Sequence, residues 1–200
     1  MFTGIVQGKG VVSDLYHRPG LVTLTVQMEE LAHELRTGAS VSVSGVCLTA
    51  TSVHDGFVAF DVMQETLDRT TLGALSVGDE VNIERSAKFG DEIGGHIVSG
   101  HVSGTANIIE IEKPENNWIL KLETSPEIME AIFPKGFVAI DGASLTVVDV
   151  RDHTFTIHLI PETLARTTFE KKGPGDLVNV ELDPHAVAIV QTVKRFLSAK

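Results

Sequence analysis

Residues 40–86 can be laid over residues 137–183 at a constant offset of 97 with no gap in either segment. The coincident pairs include Gly45 with Gly142, Leu48 and Thr49 with Leu145 and Thr146, and Asn82 and Glu84 with Asn179 and Glu181. The runs QETLDRTT at 64–71 and PETLARTT at 161–168 fall in the same frame, and GIVQG at 4–8 resembles GHVSG at 100–104 with an offset of 96. A repeat of roughly 100 residues encloses a core of its own, whereas shorter solenoid repeats close a core only by stacking. The chain therefore reads as two similar domains, 1–96 and 97–184, with the junction between 87 and 97 and a closing segment 185–200 outside the repeat.

Within the halves, VSVSGVCLTATSV at 41–53 and GFVAIDGASLTVVDV at 136–150 combine β-branched residues with partial alternation broken by glycine. This is the pattern of short strands with turns or bulges. Asp55-Gly56, Val77-Gly78-Asp79 and Gly173-Pro174-Gly175 add turn chemistry. Two small antiparallel barrels account for these features better than α/β units, and closure protects strand edges. MEELAHELR at 28–36 and SPEIMEAIF at 125–133 predict one short helix in each barrel. Asp183 is suited to cap a helix starting at Pro184, whose Val187, Val190, Val193 and Leu197 form an apolar face. That face can pack within the chain or against another subunit, and its position outside the repeat favours assembly.

Composition narrows the partners. A hydrophobic fraction of 42% with 22% charged residues supports a packed core and excludes a charge-rich disordered chain. Sixteen Lys and Arg against 27 Asp and Glu give a net charge of -11, so a nucleic-acid backbone would meet repulsion. No stretch can span a bilayer and the N-terminus lacks a secretory pattern, which argues for a cytoplasmic protein with no membrane partner. Cys47 is the only cysteine, so neither an internal disulfide nor a cysteine-rich metal site is expected.

Duplication suggests two related ligands, whose joining would gain from proximity and orientation without a metal or redox cofactor. GGHIVSGHVSG at 94–104 places His96 and His101 among glycines, where each can exchange protons near neutral pH or serve as a structural hydrogen-bonding group. Two imidazoles alone do not define a metal site. Cys47 can contact a ligand, act as a nucleophile if its pKa falls, or be buried as a small hydrophobe. Its counterpart is Ser144, so a role shared by both halves needs no thiol. The Thr66 and Thr163 hydroxyls suit a polar heterocycle or a sugar alcohol, while Glu65 and Glu162 can orient charged neighbours or pair with Arg69 and Arg166. Ser40, Ser44, Asp141, Ser144 and Thr146 can cradle a ligand or satisfy local backbone. Phe2 can cover an aromatic ligand or fill a core, and Lys135 can attract a ring oxygen or remain solvated. Asp183 is open between helix capping and proton transfer. Neither a phosphate-binding loop of the Gly-x4-Gly-Lys type nor a dinucleotide fingerprint is present.

In order, MFTGIVQG, SGVCLTATSV, FDVMQETLDRTTLG, GDEIGGHIVSGHVSG, KGFVAIDGASLTVVDV and HLIPETLARTTF resemble the riboflavin synthase alpha-chain family over nearly the whole chain. The resemblance implies an all-β chain of two similar six-stranded antiparallel Greek-key barrels, with short helices and a C-terminal assembly helix that helps form a homotrimer. It implies a cofactor-independent disproportionation of two 6,7-dimethyl-8-ribityllumazine molecules into riboflavin and 5-amino-6-(D-ribitylamino)uracil, the final step of riboflavin biosynthesis. The N-terminal barrel of one subunit would face the C-terminal barrel of its neighbour across each reaction site. Lumazine synthase is a further partner that the resemblance raises.

Carried onto matching positions, the family's N-terminal pocket would take Gly4, Ile5 and Val6, then Cys47, Leu48 and Thr49. It would add Asp61, Val62 and Met63, then Gln64, Glu65 and Thr66, with Gly100, His101 and Val102 contributing. The C-terminal pocket would take Lys135, then Ser144, Leu145 and Thr146, then Ile160, Pro161 and Glu162, and Thr163, Leu164 and Ala165. Phe2 joins the substrate-binding candidates. One lumazine would lose a proton from its 7-methyl group and attack the second ring, itself activated by addition of a nucleophile or water. His101 is favoured for proton transfer or orientation, with Ser40, Cys47 and Asp183 shaping or assisting the site, and the identities of base and nucleophile stay open. A lumazine-binding fluorescent protein built from the same barrels and a structural interaction protein are the competing expectations, and neither turns substrate over.

Overall fold

In LVTLTVQ at Leu21–Gln27 every second side chain is buried, and FVAFDVM at Phe57–Met63 follows the same period. Such alternation sets one face of a strand on a core and the other toward water. In the computed structural model, which describes residues 1–198, six strands of each half close on themselves. The N-terminal barrel contains β1 (Gly8–Arg18), β2 (Leu21–Gln27), β3 (Ser40–Val43), β4 (Val46–His54), β5 (Phe57–Met63) and β6 (Glu80–Arg85). The C-terminal barrel contains β7 (Gly104–Glu112), β8 (Trp118–Thr124), β9 (Phe137–Ile140), β10 (Ala143–Arg151), β11 (Thr154–Leu159) and β12 (Leu177–Leu182). Around the first barrel the order is β1-β2-β5-β4-β3-β6, and the second repeats it as β7-β8-β11-β10-β9-β12. Strands β3, β4 and β5 follow one another as hairpins while β2 lies antiparallel beside β5, which is a Greek key. The expected pair of six-stranded antiparallel barrels is thus what forms.

The β3–β4 and β9–β10 hairpins turn on Ser44-Gly45 and Asp141-Gly142, whose φ angles are 45° and 85°, and 43° and 84°. Positive φ at both central residues matches the twist of the flanking strands. Bulges follow Val12 in β1, Ala50 in β4, Ile108 in β7 and Val147 in β10, so the bends recur at equivalent places in the two barrels. Each barrel fills its own core. Val58 and Phe60 on β5 correspond to Phe155 and Ile157 on β11, so the large ring moves to the neighbouring inward position and the volume stays filled. Burial of each of these phenylalanines contributes about 1.5–3 kcal/mol.

The helices differ from the sequence expectation. Segment 28–36 yields only a single 3-10 turn at Glu29–Ala32, because Glu29 and Glu34 take positive φ while Met28, Ala32 and Leu35 point into the core. QETLDR forms α1 (Gln64–Arg69), and segment 125–133 shortens to α2 (Pro126–Met129). PETLAR forms α3 (Pro161–Arg166). The Glu65–Arg69 and Glu162–Arg166 pairs lie one turn apart on α1 and α3, and the Thr70 and Thr167 hydroxyls donate to the Thr66 and Thr163 carbonyls at 2.7 and 2.6 Å. Helix α4 (Pro184–Ser198) closes the fold; residues 199–200 of the expected closing segment lie outside the described residues. The Asp183 side chain accepts from the His185 N–H at 2.9 Å, which is the cap foreseen for α4.

The covalent halves and the packed halves do not coincide. Val6 joins the core of the C-terminal barrel, whereas Val102 packs against the N-terminal one. Phe2 and Val98 exchange backbone hydrogen bonds at 2.7 and 3.0 Å, so the two leading segments cross as a short antiparallel bridge. A polar pivot accompanies the crossing. The Asn82 side-chain amide donates to the Asp141 carbonyl at 2.9 Å and accepts from Thr168 N–H at 2.8 Å. Asn179 answers by donating to the Ser44 carbonyl and accepting from Thr71 N–H, both at 2.8 Å. Both asparagines are buried, so these bonds satisfy groups that water cannot reach.

Candidate active site

The N-terminal site grows from the β3–β4 hairpin, which sets Ser40 opposite Thr49 and Ser42 opposite Cys47. Cys47 is half-buried and donates its N–H to the Gly100 carbonyl at 2.9 Å. Gly100 has φ of 82°, and a Cβ there would overlap Cys47, so only glycine lets the segment lie this close. His101 and Thr49 are exposed and Ser40 is half-buried. Cys47, Thr49 and the Gly100–Val102 segment are therefore brought together, with Ser40 on the adjoining strand. Asp61 is engaged elsewhere: its carboxylate accepts from Arg18 at 2.9 Å and from Thr23 at 2.7 Å on the outer face of β2 and β5.

The C-terminal site repeats this plan with different side chains. Ser144 donates its N–H to the Gly4 carbonyl at 2.8 Å, Phe137 stands opposite Thr146, and Gly4 has φ of 74°. Gly4 and Val6 thus pack on the C-terminal barrel, whereas the sequence places Gly4, Ile5 and Val6 in an N-terminal pocket. The repeat pairs Ile5 with His101, but the leading segments are exchanged, so each lines the barrel of the other half. Lys135 is exposed with φ of 66° and donates its N–H to the Val147 carbonyl at 2.8 Å. Ile160 is exposed at the start of α3, with Thr163 half-buried behind it. Phe2 is another correction: its ring is 1% exposed, packed with Val98, Ala139 and Cys47, and offers no free face to cover a ligand.

His96 enters the C-terminal site although the favoured imidazole in the sequence was His101. Its Nδ1 lies 2.7 Å from Ser144 Oγ, its ring stacks on Phe137 at 5.2 Å, and its buried Nε2 has no hydrogen-bond partner among the described residues. Burial holds this imidazole below the usual histidine range, with the Asp183 carboxylate pulling partly the other way. Asp183 caps α4 on the C-terminal barrel, whereas Ser40, Cys47 and His101 gather on the N-terminal one.

Two buried carboxylates that the sequence reading saw only as repeat landmarks hold the crossed segments. Glu84 accepts from Thr3 N–H and Oγ1–H at 2.7 and 2.8 Å and from Gly4 N–H at 3.1 Å. Glu181 accepts from Ser99 N–H and Oγ–H, both at 2.6 Å, and from Gly100 N–H at 2.9 Å. Burial raises the Glu84 pKa despite the opposing pull of these donors. Their identical spacing in the repeat was the available signal. Among the described residues, no group of three or more His, Cys, Asp or Glu side chains is placed to hold a metal, and no helix is long and apolar enough to cross a membrane.

Two closed barrels, each with its central hairpin met by the leading segment of the other half, define a duplicated two-barrel protein. The chain belongs to the lumazine-binding domain family, which matches residues 3–86 and 99–183. It is 49% identical to the riboflavin synthase of Escherichia coli (strain K12) over all of this chain and 95% of that protein. It is 46% identical to the riboflavin synthase of Chlamydia pneumoniae, covering all of this chain and 98% of that one. The crystal structure of LumP complexed with riboflavin superposes with a TM-score of 0.85 at 25% identity, over 92% of this chain and 100% of that one.

Proposed function

We propose that the protein catalyses the riboflavin synthase reaction, passing a four-carbon unit between two molecules of 6,7-dimethyl-8-ribityllumazine. The products are riboflavin and 5-amino-6-(D-ribitylamino)uracil, and their atoms together equal those of two lumazines, so the reaction consumes no external oxidant. The observation that carries this reading is a pair of hairpin sites equivalent in backbone and unlike in side chains. Ser40, Cys47 and His101 on one side correspond to Phe137, Ser144 and Ile5 on the other. A reaction that binds the same molecule twice and gives each copy a different fate needs that combination. Full-length similarity to curated riboflavin synthases supports it.

In this reading the 7-methyl group of one lumazine gives up a proton and the resulting carbanion attacks the other ring, with His101 the favoured proton carrier and Ser40, Cys47 and Asp183 assisting. Carriage of Asp183 by one barrel and of the other three by the second favours a site shared between subunits. The apolar side of α4 supports a homotrimer, and cytoplasmic location and association with lumazine synthase complete the reading. The test is to incubate the purified chain with the lumazine and no added cofactor and to measure both products, which should appear in equal amounts. Similarity to a LumP–riboflavin complex favours one other reading, a lumazine binder without turnover. Ligand fluorescence with no product formed would select it.

A further inference from the structure

We propose that Glu84 and Glu181 are reciprocal positioning residues: each carboxylate, carried by the last strand of one barrel, fixes the glycine segment that completes the pocket of the other. Glu84 is on β6 of the N-terminal barrel, yet Gly4, which it holds, receives the Ser144 N–H of the C-terminal barrel. Glu181 is on β12 of the C-terminal barrel, yet Gly100, which it holds, receives the Cys47 N–H of the N-terminal barrel. The two sites share one donor pattern, in which a hydroxyl residue supplies its N–H and O–H and the following glycine supplies a second N–H.

The chemistry explains why a carboxylate stands at both places. Thr3 and Gly4 are buried, as is Gly100, and their N–H groups donate to these carboxylates. An ionised carboxylate accepts several neutral donors at once, and charge-assisted bonds are the stronger kind. An amide in its place keeps one acceptor oxygen and turns an NH2 group toward N–H groups that have no other acceptor. The His101 N–H also lies 3.1 Å from Ser99 Oγ, which Glu181 fixes. A C-terminal-barrel carboxylate therefore sets the backbone of His101 beside Cys47, and the wall of each site depends on the integrity of the other barrel.

The proposal rests on the pocket assignment above, but it can be tested through the single thiol without any ligand. In the full-length chain under native conditions, Glu181→Gln should loosen Gly100 from Cys47 and speed modification of Cys47 by 5,5′-dithiobis(2-nitrobenzoic acid) about tenfold, while Glu84→Gln leaves that rate at the parental value. The mirror experiment places the reporter on the other side, with Ser144→Cys in a Cys47→Ser chain, where Glu84→Gln should accelerate modification and Glu181→Gln should not. With the lumazine as substrate, Glu181→Gln should lower kcat while far-UV circular dichroism is unchanged. Parental thiol reactivity in Glu181→Gln, or equal acceleration by both variants, would overturn the proposal. Should Glu181→Gln fail to fold, Ser99→Ala keeps the carboxylate and removes two-centre anchoring of one residue, and must accelerate Cys47 more than Thr3→Ala does. A parent chain that makes no product would refute the proposed reaction and leave the thiol result decisive for positioning.

Discussion

Ser144 donates its N–H to the carbonyl of Gly4 at 2.8 Å, so the fourth residue of the chain closes a barrel whose first strand begins at Gly104. The matching bond from Cys47 to Gly100, at 2.9 Å, returns the exchange. Neither covalent half contains all the backbone that packs on its own hairpin. Duplication followed by exchange of the leading segments thus ties the two sites together mechanically, while letting the side chains in them diverge.

Replacement of Gly100 should be costly for a local reason. Its φ of 82° lies in the left-handed region and a Cβ would collide with Cys47. Gly100→Ala should therefore destabilise the fold by about 1–3 kcal/mol and reduce turnover. Gly20→Ala is the matched control, because Gly20 has φ of 72° with open space around it. That variant should lose only about 1 kcal/mol from backbone strain and retain turnover. Chemical denaturation of both variants measures the difference, and equal losses would remove the close approach to Cys47 as its cause.

His101 is exposed beside the Cys47–Gly100 contact, so its removal should disturb chemistry more than folding. His101→Ala is expected to lower turnover roughly 100-fold or more, in the range of a lost general acid or base, with ligand affinity and assembly nearly unchanged. Steady-state kinetics with binding measured by ligand fluorescence separates the two effects. Unaltered turnover would exclude the residue from proton transfer.

The His96 seat should respond to acid. Burial lowers its pKa, so the folded chain takes up this proton at lower pH than the unfolded chain does. The stability that neutral His96 contributes is present above the ordinary histidine pKa and is lost as pH falls through the depressed value. The His96 resonance should titrate below the ordinary histidine value in an NMR pH series, and its stacking on Phe137 should loosen across that same step. A His96 midpoint at or above the ordinary histidine value would contradict the desolvated setting.

The polar pivot between barrels gives a prediction about stability alone. The Asn179 amide donates to Ser44 O and Thr71 Oγ1 and accepts from Thr71 N–H, all across the barrel boundary. Asn179→Ala leaves the buried Ser44 carbonyl and the half-buried Thr71 groups without these bonds and should cost about 2–3 kcal/mol in chemical denaturation. Thr51→Ala breaks a single exposed hydroxyl bond at a bulge and should cost less than about 1 kcal/mol.

Much of this architecture was legible in the amino-acid sequence because the repeat frame reports on backbone. The turns at Ser44-Gly45 and Asp141-Gly142, the strands around them and the cap at Asp183 each depend on neighbours in sequence. The exchange of Gly4–Val6 and Gly100–Val102 was hidden, since a repeat read at offset 96 or 97 says which residues are equivalent and not which barrel they touch. The single-turn segment at Glu29–Ala32 was overestimated for a related reason. Its apolar spacing serves to bury Met28, Ala32 and Leu35 in the core, and positive φ at Glu34 stops the helix that the spacing suggested. His96 was visible as a candidate, but its contact with Ser144 spans 48 positions and leaves no local trace. Phe2 stood between two readings until its neighbours were known.

Helix α4 carries the last prediction. Lys194 pairs with Glu130 of the C-terminal barrel, which orients the helix, and Val187 and Val190 are half-buried. Ile189, Val193 and Leu197 recur every four residues and are 66%, 50% and 64% exposed, an apolar stripe that a lone chain leaves wet. If three copies bury these stripes together, Ile189→Asp with Val193→Asp should convert the assembly to monomer in sedimentation velocity while the barrels keep their circular dichroism. Turnover should fall with assembly, because Asp183 and the Ser40, Cys47 and His101 set would no longer meet across subunits. Mixing a His101→Ala chain with an Asp183→Ala chain, after subunit exchange is confirmed by mass-labelled copies, should restore part of the activity. A monomeric double variant with full turnover would place the whole reaction within one chain.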